Sequence, residues 1–183
     1  MTRLTLIATL AVAALAAAPS FAPAASLDRL IAPARACPGQ SALRAPPRAQ
    51  EQTMQCMTNF ARSRVGLPAF TVVSSLDRSA GLKSGDMLRC DEFDHEACGR
   101  EFAFWMRRVG YLHGNCWQAA ENIALGTGSY GTVRAIFRSW IHSPGHRRNI
   151  LGPLRDLGVG LRVGDLDAYR GAHVWTQQFG SLC

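Results

Sequence analysis

The sequence predicts an α+β protein in which helices come first and a pair of strands comes last. Apolar residues recur at helical spacing as far as Trp140, and they alternate with other residues from Val159 onwards. The chain has 183 residues, of which 48% are hydrophobic and 18% charged, so it can build one core and is unlike a disordered protein. Strands gathered into a sheet and covered by helices are therefore the expected architecture.

Residues 1–25 have the layout of a secretory signal peptide. They contain one basic residue, Arg3, then an apolar run at 4–18 and small residues at 22–25. The run is short for a membrane span. We expect an exported, secreted or periplasmic protein that has no membrane span once the signal peptide is removed.

The chain is basic, with 20 Lys and Arg residues against 13 Asp and Glu residues and a formal net charge of +7. Removal of Arg3 with the leader lowers the net charge by one. No aromatic residues interleave with a basic stripe, so the excess predicts a solvated surface rather than a nucleic-acid site. No nucleic-acid partner is expected.

Cysteine usage agrees with export, because an even set of six cysteines without a CxxC motif favours disulfides over a zinc knuckle. Many pairings are open to six cysteines. Proximity favours the first of the following pairs, and position in the chain favours the other two. The pairs are Cys90 with Cys98, Cys37 with Cys56, and Cys116 with Cys183.

Residues 26–50 predict an irregular arm, since prolines interrupt them and no apolar period is present, and residues 51–183 predict the folded domain. The first helix is expected over 51–65, ending at Gly66. A short β-branched stretch follows at 70–73.

Three further helices follow from the apolar spacing. Ser74 or Ser75 can cap the second helix, which runs through Met87, and the third spans 100–109. The fourth begins near Thr132 and ends before Pro144, with Trp140 facing the core beside its apolar neighbours.

The alternating pattern at 159–163 predicts a strand, a polar loop occupies 164–171, and 174–179 predicts the returning strand of a hairpin.

Standard catalytic signatures are missing: the sequence has no GxSxG, Walker loop or HExxH. Glu121 stands in an apolar segment, where its carboxylate must find partners or leave the interior. His146 follows the helix break at Pro144, from which a side chain can point into a cleft. Taken singly, such a Glu or His is also typical of a hydrogen-bond anchor that ties down a loop.

Seven motifs follow one another in order along 52–180. They are residues 59–68, residues 87–99 with His95, residues 108–111, Glu121 to Ala124, Trp140 to Leu151, Val159 with Gly160, and residues 175–180. Together they resemble the CAP superfamily of cysteine-rich secretory proteins, antigen 5 and plant pathogenesis-related proteins, also called the SCP domain. The resemblance is to its bacterial branch.

The resemblance implies a three-layer α-β-α sandwich with disulfides and a central cleft. Carried over to this chain, the family's cleft residues are His95, Glu121 and His146. The eukaryotic pattern places a second glutamate three residues after the helix tryptophan, where this chain has Ser143. Ser143 and Asn122 are candidate supporting residues, and the departure at Ser143 speaks against a mechanism that needs two carboxylates.

Two histidines and a glutamate could hold a divalent metal such as zinc, and no other cofactor is implied. Pro144 separates His142 from His146, so we do not expect these two to act as a helical ligand pair. His142, His113 and His173 are expected to be surface or capping histidines.

Three functions follow from these observations. The favoured one is a non-enzymatic module that binds a lipid, sterol or cell-envelope component, because no nucleophile and base pair is recognisable. The alternatives are a metal-assisted hydrolase that uses the same cleft and a structural envelope protein in which the His and Glu residues only stabilise the sandwich. The sequence makes no prediction of the oligomeric state.

Overall fold

The structure is a computed structural model that describes residues 27–183. The predicted signal peptide therefore lies outside the described residues. The described part contains five α-helices and one four-stranded sheet. The helices are α1 (Pro47–Ser63), α2 (Ser74–Cys90), α3 (Phe104–Arg108), α4 (Val133–His142) and α5 (Pro144–Ile150), and the strands are β1 (Thr71–Val72), β2 (Trp117–Gly126), β3 (Asp156–Leu166) and β4 (Tyr169–Leu182).

The sheet has the strand order β1-β3-β4-β2. The hairpin of β3 and β4 forms its centre, β2 pairs with β4 in antiparallel orientation, and the two-residue β1 pairs with β3 in parallel. Strand β2 is therefore an edge strand along its whole length. This position decides where the candidate site lies.

Helices cover both faces of the sheet. Because side chains alternate along a strand, Trp175 and Phe179 of β4 point to one face, where they pack with residues of α1 and α4. Val174 points to the other face, where it packs with Met87 of α2. The three-layer α-β-α arrangement and the predicted α+β class are confirmed.

Trp140 anchors the first of these cores, as its helical phase predicts. Its side chain is fully buried with those of Ile136 and Phe137, and its indole Nε1 donates a hydrogen bond to the carbonyl oxygen of Ile123 at 3.2 Å. The bond joins α4 directly to β2.

Helix α2 approaches β3 more closely than a side chain would permit. A Cβ atom at Gly158 would overlap the backbone of Leu76, and one at Gly160 would overlap the backbone at Gly81. These contacts require glycine in the strand.

Two helix boundaries differ from prediction because proline begins helices here. Helix α1 begins at Pro47 rather than at residue 51, and α5 begins at Pro144, where we expected only a helix end. Proline suits the first helical position, since that N–H has no partner within the helix. Helix α3 is also shorter than the predicted 100–109.

The N-terminal cap of α2 is Val73, whose side chain makes no capping bond, so the predicted Ser74 or Ser75 cap is wrong. The sequence pattern missed β2 altogether and gave strands shorter than β3 and β4. Apart from the exposed Gln118, the residues of β2 are wholly or partly buried on both faces, which removes the alternation that marks a strand.

Three disulfides join the cysteine pairs that the sequence favoured, namely Cys37–Cys56, Cys90–Cys98 and Cys116–Cys183. The described residues contain no free cysteine. Leu30, Ile31 and Cys37, which precede α1, are buried in the main core, so this segment packs on the domain although it is largely irregular. No helix in the range 27–183 is long and apolar enough to cross a membrane.

Substitution of Trp140 by alanine should lower the free energy of unfolding by about 3 to 5 kcal/mol, because it leaves a cavity in the main core. Urea denaturation followed by circular dichroism measures this change. Tyr130→Ala is the matched aromatic control: its side chain is 77% exposed, and the change should stay within about 0.5 kcal/mol. Equal losses in the two variants would contradict the assigned core.

The disulfides should contribute unequally to stability. Cys116 and Cys183 lie 67 positions apart and Cys90 and Cys98 lie 8 apart. On the chain-entropy model, loss of the longer bridge costs about 4 kcal/mol and loss of the shorter about 2.5 kcal/mol. Denaturation of the two double alanine variants compares them, and a larger loss for the short loop would contradict this order.

Candidate functional site

His95 lies in the loop that follows α2, and three features of that loop fix it. The Cys90–Cys98 disulfide closes the loop, and the backbone N–H of Cys98 donates to the carboxylate of Glu92 at 2.6 Å. The buried ammonium group of Lys83 on α2 donates to the carbonyl oxygen of His95 at 2.5 Å. The ring is thereby held over the edge of the sheet.

Glu121 lies on β2 with a side chain that is only 1% exposed. Its Oε1 lies 2.8 Å from Nδ1 of His95, and its Oε2 accepts a hydrogen bond from Nε2 of Gln178 at 2.9 Å. A buried carboxylate needs such partners. With Nδ1–H of His95 as donor, both carboxylate oxygens are engaged.

His146 lies on α5, across the same edge of the sheet. The amide of Asn122 donates to the carbonyl oxygen of His146 at 3.2 Å, and the amide of Asn149 donates to Oδ1 of Asn122 at 2.8 Å and to the carbonyl oxygen of Glu121 at 3.2 Å. This network joins α5 to β2. The buried Nδ1 of His146 has no hydrogen-bond partner in the described residues.

The two histidines have opposite shifts in pKa. The hydrogen bond that Nδ1–H of His95 donates to the carboxylate of Glu121 raises the pKa of His95 above its ordinary value, although burial opposes this. Burial and the nearby charge of His95 lower the pKa of His146. The site therefore favours protonation of His95 over protonation of His146.

A cavity of about 290 Å³ opens at the edge of the sheet beside these residues. It is lined by His95, Phe102, Ala120, Glu121 and Asn149. His95 is its most accessible polar group, with a side chain that is 50% exposed. The cavity therefore presents an imidazole that a buried carboxylate orients.

The donor set does not fit a three-ligand metal site. Among residues 27–183, no three His, Cys, Asp or Glu side chains lie close enough together to hold a metal ion. Glu121 directs its two oxygens at His95 and Gln178 instead. The predicted His/His/Glu zinc set does not assemble in this arrangement.

Comparison with known proteins agrees with this fold. Residues 56–179 match the model of the cysteine-rich secretory protein family, CAP. The chain belongs to the CAP family. The resemblance seen in the sequence motifs is thus confirmed.

This CAP protein is similar to the protein YkwD of Bacillus subtilis (strain 168), with 34% identity over 134 residues. The match covers 72% of this chain and 47% of YkwD, so the chain spans about half the length of that relative. An extracellular protein of Bacillus anthracis str. Ames that contains an SCP domain is 26% identical with a TM-score of 0.58, over 73% of this chain and 40% of that one.

Two more distant structures share the fold alone. An outer surface protein of Borrelia burgdorferi has a TM-score of 0.62 at 12% identity and covers 75% of this chain and 96% of its own. A cysteine-rich secretory protein of Staphylococcus aureus subsp. aureus Mu50 has a TM-score of 0.53 at 19% identity, over 74% of this chain and 40% of that one.

The three cleft residues that the family motifs indicate do not all contact one another. His95 and Glu121 are in contact. The charge of His95 lowers the pKa of His146, but His146 makes no hydrogen bond to Glu121 in the described residues. Asn122 is fully buried in the network that holds α5, which suits a supporting role. Ser143 is the N-cap residue of α5, but its side chain makes no capping bond.

His173 differs from the sequence expectation. It is buried on β4 at 7% exposure, with Nε2 lying 3.2 Å from the carbonyl oxygen of Leu43, so the prediction of a surface or capping role is wrong. No pattern in the sequence predicted a role in the site for Lys83, Gln178 or Asn149. Lys83 is the single lysine of the chain, and this was the one feature of the sequence that could have indicated a special role for it.

Replacement of Glu121 by glutamine should lower the pKa of His95, because the hydrogen bond to the carboxylate is what raises it. NMR titration of the imidazole resonances measures this. Wild-type His95 should titrate above, and His146 below, the ordinary value for histidine. Glu96→Gln is the matched control, since Glu96 is exposed one residue from His95 and its loss should leave the pKa of His95 in place. Equal shifts in both variants would contradict the assignment.

The same shifts give a sign for the dependence of stability on pH. The raised pKa of His95 stabilises the folded protein at pH values below the pKa that His95 has in the unfolded chain. This stabilisation is lost as the pH rises through the pKa of His95 in the folded protein. Glu121→Gln should remove this contribution.

Proposed function

We propose that this CAP protein is a non-enzymatic binding module, secreted or periplasmic, that holds the polar part of a cell-envelope ligand in the cleft at His95, Glu121 and His146. Three disulfides support an oxidising compartment outside the cytoplasm. The extracellular and outer-surface descriptions of two structural relatives support the same location.

The observation that carries the proposal is the state of the Glu121 carboxylate. It is buried and both of its oxygens have partners, so little of it is accessible to a substrate. It orients the ring of His95, which is half exposed and can meet a ligand with its other nitrogen. This arrangement serves recognition without requiring chemistry.

Two features speak against hydrolysis in the same cleft. In the described part of the chain, no serine, threonine or cysteine side chain is hydrogen-bonded to His95 or His146, so neither histidine has a side-chain nucleophile to activate. The carboxylate that a metal-assisted mechanism would recruit is engaged elsewhere. A metal-assisted hydrolase is therefore the weaker candidate.

The shape of the cavity bears on the ligand. Its volume of about 290 Å³ lies at the lower end of small-molecule pockets, which typically measure about 300 to 1,000 Å³. An imidazole, a carboxylate and an amide line it together with Phe102 and Ala120. A complete lipid or sterol molecule is larger than this space, so it would present only its polar head here. A polar envelope component suits the lining better.

A structural role is the second candidate, and one observation favours it. Lys83 and Glu121 both bond to His95, one at its carbonyl oxygen and the other at its ring, and together they tie the loop after α2 to the sheet. In that case the His and Glu residues would stabilise the sandwich and bind nothing.

Co-sedimentation with isolated bacterial envelopes separates the two candidates. The wild type should pellet with sacculi or membrane vesicles, and His95→Gln should reduce the bound fraction severalfold because it removes the exposed imidazole. His113→Gln is the matched control, as His113 is exposed and bonds only to the carbonyl oxygen of Tyr111. Vesicles without peptidoglycan and sacculi without lipid identify the class of ligand.

Thermal unfolding of the same variants completes the test. Retained stability with lost binding in His95→Gln supports the binding module. Failure of the wild type to pellet with either preparation, together with a lower melting temperature in His95→Gln alone, would contradict it in favour of the structural role.

A further inference from the structure

The outer edge of β2 borders a second cavity, next to the cleft. This cavity measures about 430 Å³ and lies between Gln118 and Ala119 of β2, Arg148 and Asn149 of α5, and Leu154 in the connection to β3. Asn149 lines both cavities, so the two are neighbours along one strand. We call the second cavity the edge groove.

The backbone of Ala119 faces this edge. Ala119 lies opposite Gly180 of β4, and the carbonyl oxygen of Gly180 accepts the N–H of Arg155 at 3.1 Å, on the side of β3. In an antiparallel ladder the N–H and C=O of one residue point the same way, and neighbouring residues alternate. Ala119 is therefore in a non-hydrogen-bonded pair, and its N–H and C=O point away from β4.

By the same alternation, the backbone N–H and C=O groups of Trp117, Glu121 and Ile123 also point outward, away from β4. The neighbouring outward positions have partners, since the carbonyl oxygen of Glu121 accepts from Asn149 and that of Ile123 accepts from the indole of Trp140, both at 3.2 Å. These two bonds independently confirm that the backbone carbonyl groups of Glu121 and Ile123 point away from β4.

The opposite edge of the sheet is also covered. Beyond the short β1, the N–H of Val159 donates to Asp77 and the N–H of Leu161 donates to Glu51, both at 2.9 Å. By contrast, no group within residues 27–183 bonds to the outward backbone of Trp117 or Ala119. Natural sheets usually cover such groups, because an open edge is a template for another strand.

We propose that the edge groove binds an extended peptide segment, which adds to the sheet as a fifth strand alongside Trp117–Ala119 and places an acidic group against Arg148. Unpaired N–H and C=O groups along a strand edge can pair with another extended backbone, and this is the basis of strand addition in peptide recognition. The exposed Arg148 has no ion-pair partner among the described residues, so it supplies a charge that selects a carboxylate.

A second copy of this chain fits the groove less well than a peptide. Only a short stretch of the edge is open, because Asn149 and Trp140 hold the backbone of the residues that follow. Pairing of two such short edges falls well below the roughly 1,000 Å² that a stable protein interface buries. A peptide needs no such area for transient binding.

This inference goes beyond the proposed function, since strand addition at Ala119 does not require the imidazole of His95. The groove and the cleft nevertheless share Asn149, so a peptide in the groove would extend towards His95. A ligand with both a peptide portion and a polar head would occupy the two cavities together.

The test uses a pool of six-residue peptides that alternate valine with glutamate, and the purified protein with its three disulfides. Amide NMR shifts report the place of binding, and titration gives the affinity. Shifts should centre on the amides of Trp117 and Ala119. A peptide with alternate backbone nitrogens methylated should bind at least tenfold more weakly, and the matching valine and lysine pool should also bind more weakly.

Ala119→Pro should reduce the affinity at least tenfold, because it removes the outward N–H and adds a ring where the peptide approaches. It breaks no bond within the sheet, since that N–H faces away from β4, and proline is tolerated at such positions of edge strands. Ala119→Ser keeps the N–H and is the matched control. Arg148→Gln should weaken binding of the acidic pool severalfold.

Several results would overturn the proposal. These are the absence of binding by every peptide, equal binding of the N-methylated peptide, shifts remote from β2, and a concentration-dependent dimer that Ala119→Pro abolishes, which would assign the edge to a second copy. His95→Gln should leave peptide binding unchanged, so a failure of envelope binding in that variant tests the proposed function separately.

Discussion

The close contact between α2 and β3 determines where His95 lies relative to the sheet. Gly158 and Gly160 let the helix backbone rest directly on the strand, and at this separation the hydroxyl of Ser84 lies 2.9 Å from that of Thr176 on the central strand. The same placement carries Lys83 to the carbonyl oxygen of His95. A methyl group at either glycine would push α2 outward and move His95 away from Glu121. The geometry of the site thus depends on the absence of side chains some distance from it.

Charge balance beneath the cleft follows from the same helix. Burial lowers the pKa of Lys83, while the negative charge of Glu121 opposes that effect. One turn along, burial of Asp86 disfavours its charge, but hydrogen bonds from Arg100, Trp105 and Arg89 outweigh this and lower its pKa. Lys83 and Asp86 therefore each have a charge of opposite sign nearby. These pairings attach the loop of His95 and the start of α3 to α2, so the loop is held by polar contacts where its apolar content is small.

The parts of the fold that the sequence predicted are those with a strong local signal. Trp140 and its neighbours repeat at helical spacing, and the cysteines could be paired from their positions in the chain. Strand β2 gave no such signal, because its residues are covered on both faces by groups that come together only in the fold. The His95 and Glu121 contact could be expected from family motifs but not from spacing, as 26 positions separate the two residues. Lys83 and Gln178 act through the folded geometry alone, and no local pattern identifies them.

An edge strand is the one place in this sheet where a polar site can be built without breaking the ladder. In a central strand, the N–H and C=O groups bond to neighbouring strands on both sides. The outward backbone groups of β2 have no neighbouring strand, so they can bond to Asn149 of α5, to Trp140 or to a ligand. Glu121 lies at the boundary between the bonded and the open parts of this edge. Its carbonyl oxygen accepts a hydrogen bond from Asn149, and the unpaired backbone of Ala119 lies two residues before it. The carboxylate of Glu121 turns inward to Gln178 and fixes His95 beside that boundary. The cleft and the edge groove are therefore adjacent consequences of one topological fact, the outer position of β2.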